Sequence, residues 1–116
     1  MVSLTPMESE VLGEMAWDSY SLGEVVYFVR DASPPLDEFG LYRAVITLLE
    51  SWIPRGWLML AKRPFRPHFL SSIEQVLPYL AEYGPEAIAE ESTIPLPEVE
   101  LTDQTFRDVE WLRGLV

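Results

Sequence analysis

The feature that most constrains this fold is a helical run of apolar residues that ends in a turn and continues directly as an apolar segment. Residues 36–52 carry apolar side chains at helical spacing, and residues 54–56 (Pro-Arg-Gly) form the predicted turn. Residues 57–61 are apolar throughout, which favours a buried strand. The residues that we expect to be buried are Val26, Val45, Leu48, Leu49, Trp52 and Trp57.

Helix-capping signals divide the rest of the chain. Thr5 and Glu8 have the spacing of a capping box, and so do Ser21 and Glu24. Pro78 lies inside a further helical pattern that opens at residues 71–74, so we expect a kink or a later start there. The other predicted elements are helices at 6–16, 22–32, 85–91 and 103–113, the last capped by Thr102, and a strand at 98–101.

These elements predict a mainly α domain with two short strands, at 57–61 and 98–101, and therefore an α+β fold. We expect residues 1–116 to form one domain, because 116 residues suffice for a single core. The 36 residues between the two strands, 62–97, are too many for a simple loop. They are therefore predicted to form an insertion with its own helix.

The order of elements resembles the winged helix-turn-helix domain of bacterial regulators. The segment VITLLESWIPRGWLML, residues 45–60, resembles the third helix and first wing strand of that family, and VELTDQTFRDVEWL resembles its second wing strand and following helix. The resemblance covers residues 6–61 and 98–113. It implies a winged-helix-like core in which residues 57–61 pair with residues 98–101 in a small antiparallel sheet. The long insertion replaces the short wing of the family, and a fold by itself does not fix a function.

Charge is distributed unevenly along the chain, whose formal net charge is −11. Residues 1–40 carry eight acids and one base, a net charge of −7. Residues 41–67 carry one acid and five bases, a net charge of +4, and residues 68–116 carry ten acids and two bases, a net charge of −8. A field of this sign repels nucleic acid and attracts basic partners.

The residue types argue against catalysis. The chain has no cysteine and one histidine, His68, so neither a thiolate nucleophile nor a zinc-binding set is available. The six glycines are scattered and form no phosphate-binding loop. We therefore predict no enzymatic activity, no cofactor and no metal site.

An acidic chain rich in aromatic residues favours recognition of a basic protein partner. The predicted function is a non-catalytic binding module of bacterial origin, either an immunity-type protein that neutralises a toxin or a regulatory partner. No apolar run reaches the length of a membrane span, so we expect a cytoplasmic protein with no membrane contact. The acids expected to contact the partner are Glu24, Asp37, Glu38, Glu82, Glu86, Glu90 and Glu91. The aromatic residues expected to be exposed are Trp17, Tyr20, Tyr27, Phe28, Tyr42, Tyr79 and Tyr83.

Two alternatives stay open at this point. The exposed aromatic residues are also compatible with a homodimer. The resemblance implies a DNA-binding regulator that uses the basic segment 55–66, although the net charge argues against tight binding of duplex DNA. The candidate contacts for that alternative are Arg43, Arg55, Lys62, Arg63 and Arg66.

Overall fold

A computed structural model describes residues 3–61, 68–90 and 93–115. The described chain alternates helices with short strands. The elements are α1 Pro6–Met15, β1 Tyr20–Ser21, α2 Leu22–Asp31, α3 Glu38–Trp52, β2 Leu58–Ala61, β3 His68–Phe69, a 3₁₀ turn Ile73–Gln75, α4 Leu77–Tyr83, α5 Pro85–Glu90, β4 Glu98–Leu101, α6 Asp103–Asp108 and a C-terminal 3₁₀ helix Glu110–Leu115. This is the predicted α+β class.

The sheet is antiparallel, with strand order β1-β4-β2-β3. The predicted pairing of the two longer strands is confirmed, because Leu58 lies opposite Leu101 and Leu60 lies opposite Val99. All four of these side chains are buried, so this face of the sheet packs against the helices. The short strands β1 and β3 extend the sheet beyond the predicted pair.

The first two helices begin at the predicted caps, whereas α3 begins at Glu38 behind Asp37, a cap that was not predicted. The Thr5 hydroxyl accepts from the Glu8 amide, and the Glu8 carboxylate accepts from the Thr5 amide. The other Glu8 carboxylate oxygen accepts a hydrogen bond of 2.7 Å from the Trp52 indole nitrogen, so the start of α1 is tied to the end of α3. The three-helix arrangement and the sheet are compatible with a winged-helix-like fold.

The segment between β2 and β4 contains regular structure, as its length requires. Ser72 caps the 3₁₀ turn, and α4 begins only at Leu77, so that Pro78 occupies a helix-start position where its missing amide is tolerated. The alternative of a later helix start is thus the correct one. Because β3 pairs with β2, the sheet itself continues into the segment predicted to be an insertion.

The prediction of one continuous helix over residues 103–113 is wrong. Helix α6 ends at Asp108, and Val109 adopts φ −116° and ψ 82°, after which a 3₁₀ helix begins. Thr102 precedes α6 but its side chain makes no capping hydrogen bond. Its hydroxyl instead donates to the Gly56 carbonyl over 2.6 Å, while the buried Thr105 hydroxyl donates to the Trp57 carbonyl over 2.7 Å. These bonds join α6 to the turn after α3.

The core lies between the inner face of the sheet and the helices. Trp52 and Trp57 are completely buried and pack against each other, with ring centroids 6.0 Å apart. The Trp57 indole nitrogen donates to the Asp108 carboxylate, and this bond, with a second one from Gln104, lowers the pKa of Asp108. The six residues predicted to be core residues are all buried, which confirms the inward face assigned to α3.

Candidate partner-binding surface

Helix α5 lies unusually close to α2, and a glycine allows this approach. A Cβ atom at Gly23 would collide with the carbonyl oxygen of Ile88 and would lie 3.1 Å from its carbonyl carbon. Gly23 and Ile88 are both buried. The close packing fixes where the acidic side chains of α5 lie relative to those of α2.

Two of the predicted acids line a cleft between α2 and α5. Glu24 from α2 and Glu90 from α5 line a cleft of about 380 Å³, together with Glu98 from β4. The apolar part of its lining comes from Ile88 and from residues 94–96. Glu90 also accepts a hydrogen bond of 2.8 Å from the Arg30 guanidinium, and this ion pair joins α5 to α2 at the surface.

Two further predicted acids form a carboxyl pair. The Glu38 carboxylate lies against Gly84, whose φ of 82° favours glycine, and a side chain at position 84 would collide with it. A side-chain hydrogen bond with Glu38 raises the pKa of Glu86, as does the negative charge of Glu38. Glu90 raises this pKa further, whereas Arg30 lowers it. The start of α3 and the start of α5 therefore place two negative charges together.

We name the surface formed by Glu24, Glu38, Glu86 and Glu90 the α5 acidic face. The remaining predicted acids are Asp37, Glu82 and Glu91, and they are not part of the α5 acidic face. Asp37 has a structural role, because its carboxylate accepts from the Gly40 amide over 2.7 Å at the start of α3. Glu82 is exposed on α4, and Glu91 lies outside the described residues.

The prediction of exposed aromatic residues is right in part. Trp17, Tyr27 and Tyr83 are exposed. The prediction is wrong for Tyr20, Phe28, Tyr42 and Tyr79, which are partly buried and pack against the core. Among the residues that the structure describes, three exposed aromatic residues were not predicted: Phe39, Phe69 and Trp111. Phe39, which follows Glu38, is 67% exposed, and Tyr83, which precedes Gly84, is 39% exposed, so both flank the carboxyl pair along the chain.

Of the basic residues of the DNA-binding alternative, the structure describes Arg43 and Arg55. The Arg43 guanidinium lies 5.8 Å from the ring centroid of Phe39, and that of Arg55 lies 5.0 Å from the ring centroid of Trp57. Both are exposed and both are stacked on aromatic rings of this chain. Lys62, Arg63 and Arg66 lie outside the described residues.

The described residues contain no group of three or more His, Asp or Glu side chains placed to hold a metal ion. His68 is exposed on the short edge strand β3. Within residues 3–61, 68–90 and 93–115, no helix has the length and apolar character needed to cross a membrane.

Comparison of the chain with family models, with curated proteins and with solved structures gives no match. The functional argument therefore depends on the geometry and charge of the described surface.

Proposed function

We propose that this protein is a non-catalytic module that binds a basic protein partner through the α5 acidic face. The observation that carries the proposal is the exposed Glu38–Glu86 carboxyl pair. Two carboxylates held together on a surface repel each other unless they share a proton or bind a cation. A folded chain gains nothing from this arrangement, so a cation from outside is its natural complement.

The chain supplies little compensating charge of its own. Arg30 acts on Glu86 at a distance, but it makes its direct ion pair with Glu90. A lysine or arginine side chain from a partner would reduce the repulsion between the carboxylates of Glu38 and Glu86. Because the repulsion is relieved only in the complex, the pair favours the bound state.

Apolar surface next to these charges supports recognition of a protein. Two exposed aromatic residues lie near the pair in the sequence, Phe39 next to Glu38 and Tyr83 three residues before Glu86. The cleft beside Glu24 and Glu90 offers apolar lining from Ile94 and Leu96. Aromatic groups beside charges that become desolvated are typical of interface hot spots. The net charge of −11 would also attract a basic partner over a distance and accelerate association.

The proposal includes a winged-helix scaffold whose usual DNA-binding role has been replaced. An immunity-type protein that neutralises a basic toxin, or a regulatory partner in the bacterial cytoplasm, fits this description. The DNA-binding alternative is disfavoured because Arg43 and Arg55 are stacked on the chain's own aromatic rings and the chain carries a net charge of −11.

The test is capture of the partner from the source cells, followed by association kinetics with the purified partner at several salt concentrations. Glu38→Gln with Glu86→Gln should weaken binding at least tenfold, a loss of about 1.4 kcal/mol. The matched control, Glu50→Gln with Glu74→Gln, removes the same charge from two other acids and should change affinity less than twofold. A captured nucleic acid, or equal losses in both double variants, would contradict the proposal.

A further inference from the structure

A second acidic surface surrounds Trp17, on the part of the molecule formed by the end of α1. The Trp17 indole is 65% exposed and borders two grooves. One groove, of about 350 Å³, lies between α1, α2 and the C-terminal 3₁₀ helix, and its acids are Glu10, Glu14 and Asp31. The other groove, of about 280 Å³, lies between the end of α1, β4 and α6, and its acids are Asp18, Glu100 and Asp103. We call Trp17 and these six acids the Trp17 surface.

Acids predominate on this surface, although Glu100 and Asp103 also line a neighbouring groove that contains Arg55 and Arg107. No lysine, arginine or histidine among the described residues lines either groove. In the same part of the chain none of the six carboxylates forms an ion pair, the single ion pair there being that of Arg30 with Glu90. The field reaches Tyr20, whose pKa is raised chiefly by burial and further by Asp18, Glu14 and Glu24.

Each groove also presents apolar surface beside its acids. Phe28 and Leu115 line the first groove, and Phe106 and Leu101 line the second. Trp17 belongs to both linings, so its indole forms the ridge between them. The buried indoles of Trp52 and Trp57 both donate to carboxylates of this chain, whereas Trp17 projects into solvent.

We propose that the Trp17 surface docks an extended basic segment of a partner protein, with lysine or arginine side chains in each groove and an uncharged stretch across Trp17. Charge complementarity selects this occupant, because six carboxylates in two sets require cations on both sides of the indole. The same charges repel nucleic acid and anionic lipid. Stacking of the segment on an exposed tryptophan adds apolar and cation–π contact. This inference takes its class of partner from the proposed function but places the contact on a different surface.

The test uses purified protein and a synthetic peptide in which two pairs of lysine or arginine flank a three-residue apolar spacer. Trp17→Ala should weaken binding at least tenfold, as expected for an aromatic hot spot. Trp111→Ala is the matched control, since Trp111 is also a surface tryptophan, 47% exposed, and lines neither groove. It should change the affinity less than twofold, and thermal melts of both variants should confirm that they are folded.

Charge variants test both grooves at once. Glu14→Gln with Glu100→Gln removes one acid from each groove and should weaken binding and flatten its salt dependence, whereas Glu50→Gln with Glu74→Gln should not. If Trp17→Ala binds the peptide with unchanged affinity, the inference is overturned. It is also overturned if the wild-type chain self-associates and Trp17→Ala abolishes that self-association. If Glu38→Gln with Glu86→Gln alone prevents peptide binding, the proposed function stands and this inference fails. If only the Trp17-surface variants prevent it, the α5 acidic face fails instead. Absence of saturable binding at low salt overturns both.

Discussion

Substitution of Gly23 by alanine tests whether close packing of α5 on α2 positions the α5 acidic face. In a helix, alanine is favoured over glycine by up to about 1 kcal/mol, because glycine loses more backbone entropy on folding. At Gly23 the added methyl group would overlap the Ile88 carbonyl oxygen and lie 3.1 Å from Leu96 Cδ1. Leu96 can rotate away, but a backbone carbonyl has no other rotamer. Helix α5 must therefore move.

Overpacking of a well-packed site costs about 1–3 kcal/mol, and the backbone contact places this case towards the upper end. After the gain in helix propensity is subtracted, Gly23→Ala should destabilise the protein by about 1–2 kcal/mol. For a domain of this size that lowers Tm by about 4–8 °C. Displacement of α5 should also weaken the Arg30–Glu90 ion pair and lower the affinity for a basic partner.

Gly13→Ala is the matched control, because Gly13 also lies in a helix but has room for a side chain. The atom nearest to the position that the new methyl group would take is Leu115 Cδ1 at 3.9 Å, an ordinary van der Waals contact. Gly13→Ala should therefore stabilise the protein by about 0.5–1 kcal/mol. Thermal and urea unfolding of the two variants should show a loss of stability for Gly23→Ala and a gain for Gly13→Ala. If Gly23→Ala is as stable as Gly13→Ala, α5 does not pack on α2 through this backbone contact.

Three further perturbations test the core, the α6 contact and the carboxyl pair. Leu48→Ala should cost about 2–5 kcal/mol in urea unfolding, the usual range for a buried leucine, and a loss below about 0.5 kcal/mol would mean that α3 faces the other way. Thr105→Val should cost about 1 kcal/mol, because the Trp57 carbonyl loses one donor but keeps the Thr102 amide, and an unchanged stability would contradict the bond. Glu86→Gln should raise Tm at pH 7, and the gain should disappear below about pH 4. Since folding raises the pKa of Glu86, its contribution to stability is present at acidic pH and lost as pH rises through the folded pKa, so the opposite trend would refute the pair.

Local signals in the sequence were sufficient for the starts of the first two helices, for the buried face of α3 and for the positions of the two longer strands. The cap at Thr5 and the one at Ser21 mark helix starts that the structure has at Pro6 and Leu22. The apolar period of α3 identified its buried face, because five inward positions over four turns leave one orientation. Pairing of β2 with β4 followed from the resemblance, since the two strands are about 40 residues apart in the chain.

The missed elements depend on contacts that no local pattern encodes. Strands β1 and β3 have two residues each, too few for any alternation to be recognised, and they exist because β4 and β2 provide partners. The break of the last helix at Val109 has a tertiary cause as well. Thr102 and Thr105 direct their hydroxyls to carbonyls after α3, and the chain then turns so that Leu112 becomes buried.

The candidate site shows the same division between local and long-range information. The acids of the α5 acidic face were singled out by charge alone, but the pairing of Glu38 with Glu86 joins positions 48 residues apart and required the fold. The Trp17 surface has one local signal in the sequence. Glu10, Glu14 and Trp17 are spaced four and three residues apart, which places them on one side of α1 and its end.

The contacts of the acidic residues separate those that serve the fold from those available to a partner. Glu8, Asp37 and Asp108 each accept from a donor of this chain, so their charges are already used in holding α1, α3 and α6. The acids of the Trp17 surface and the Glu38–Glu86 pair form no ion pair among the described residues, although Asp18 accepts a hydrogen bond from the Ser19 amide. The first set surrounds the exposed Trp17, and Glu38 precedes the exposed Phe39 in the chain. A random excess of acid would be expected to scatter over the surface. Its concentration beside Trp17 and Phe39 is what favours recognition of a cationic partner over a general role in solubility.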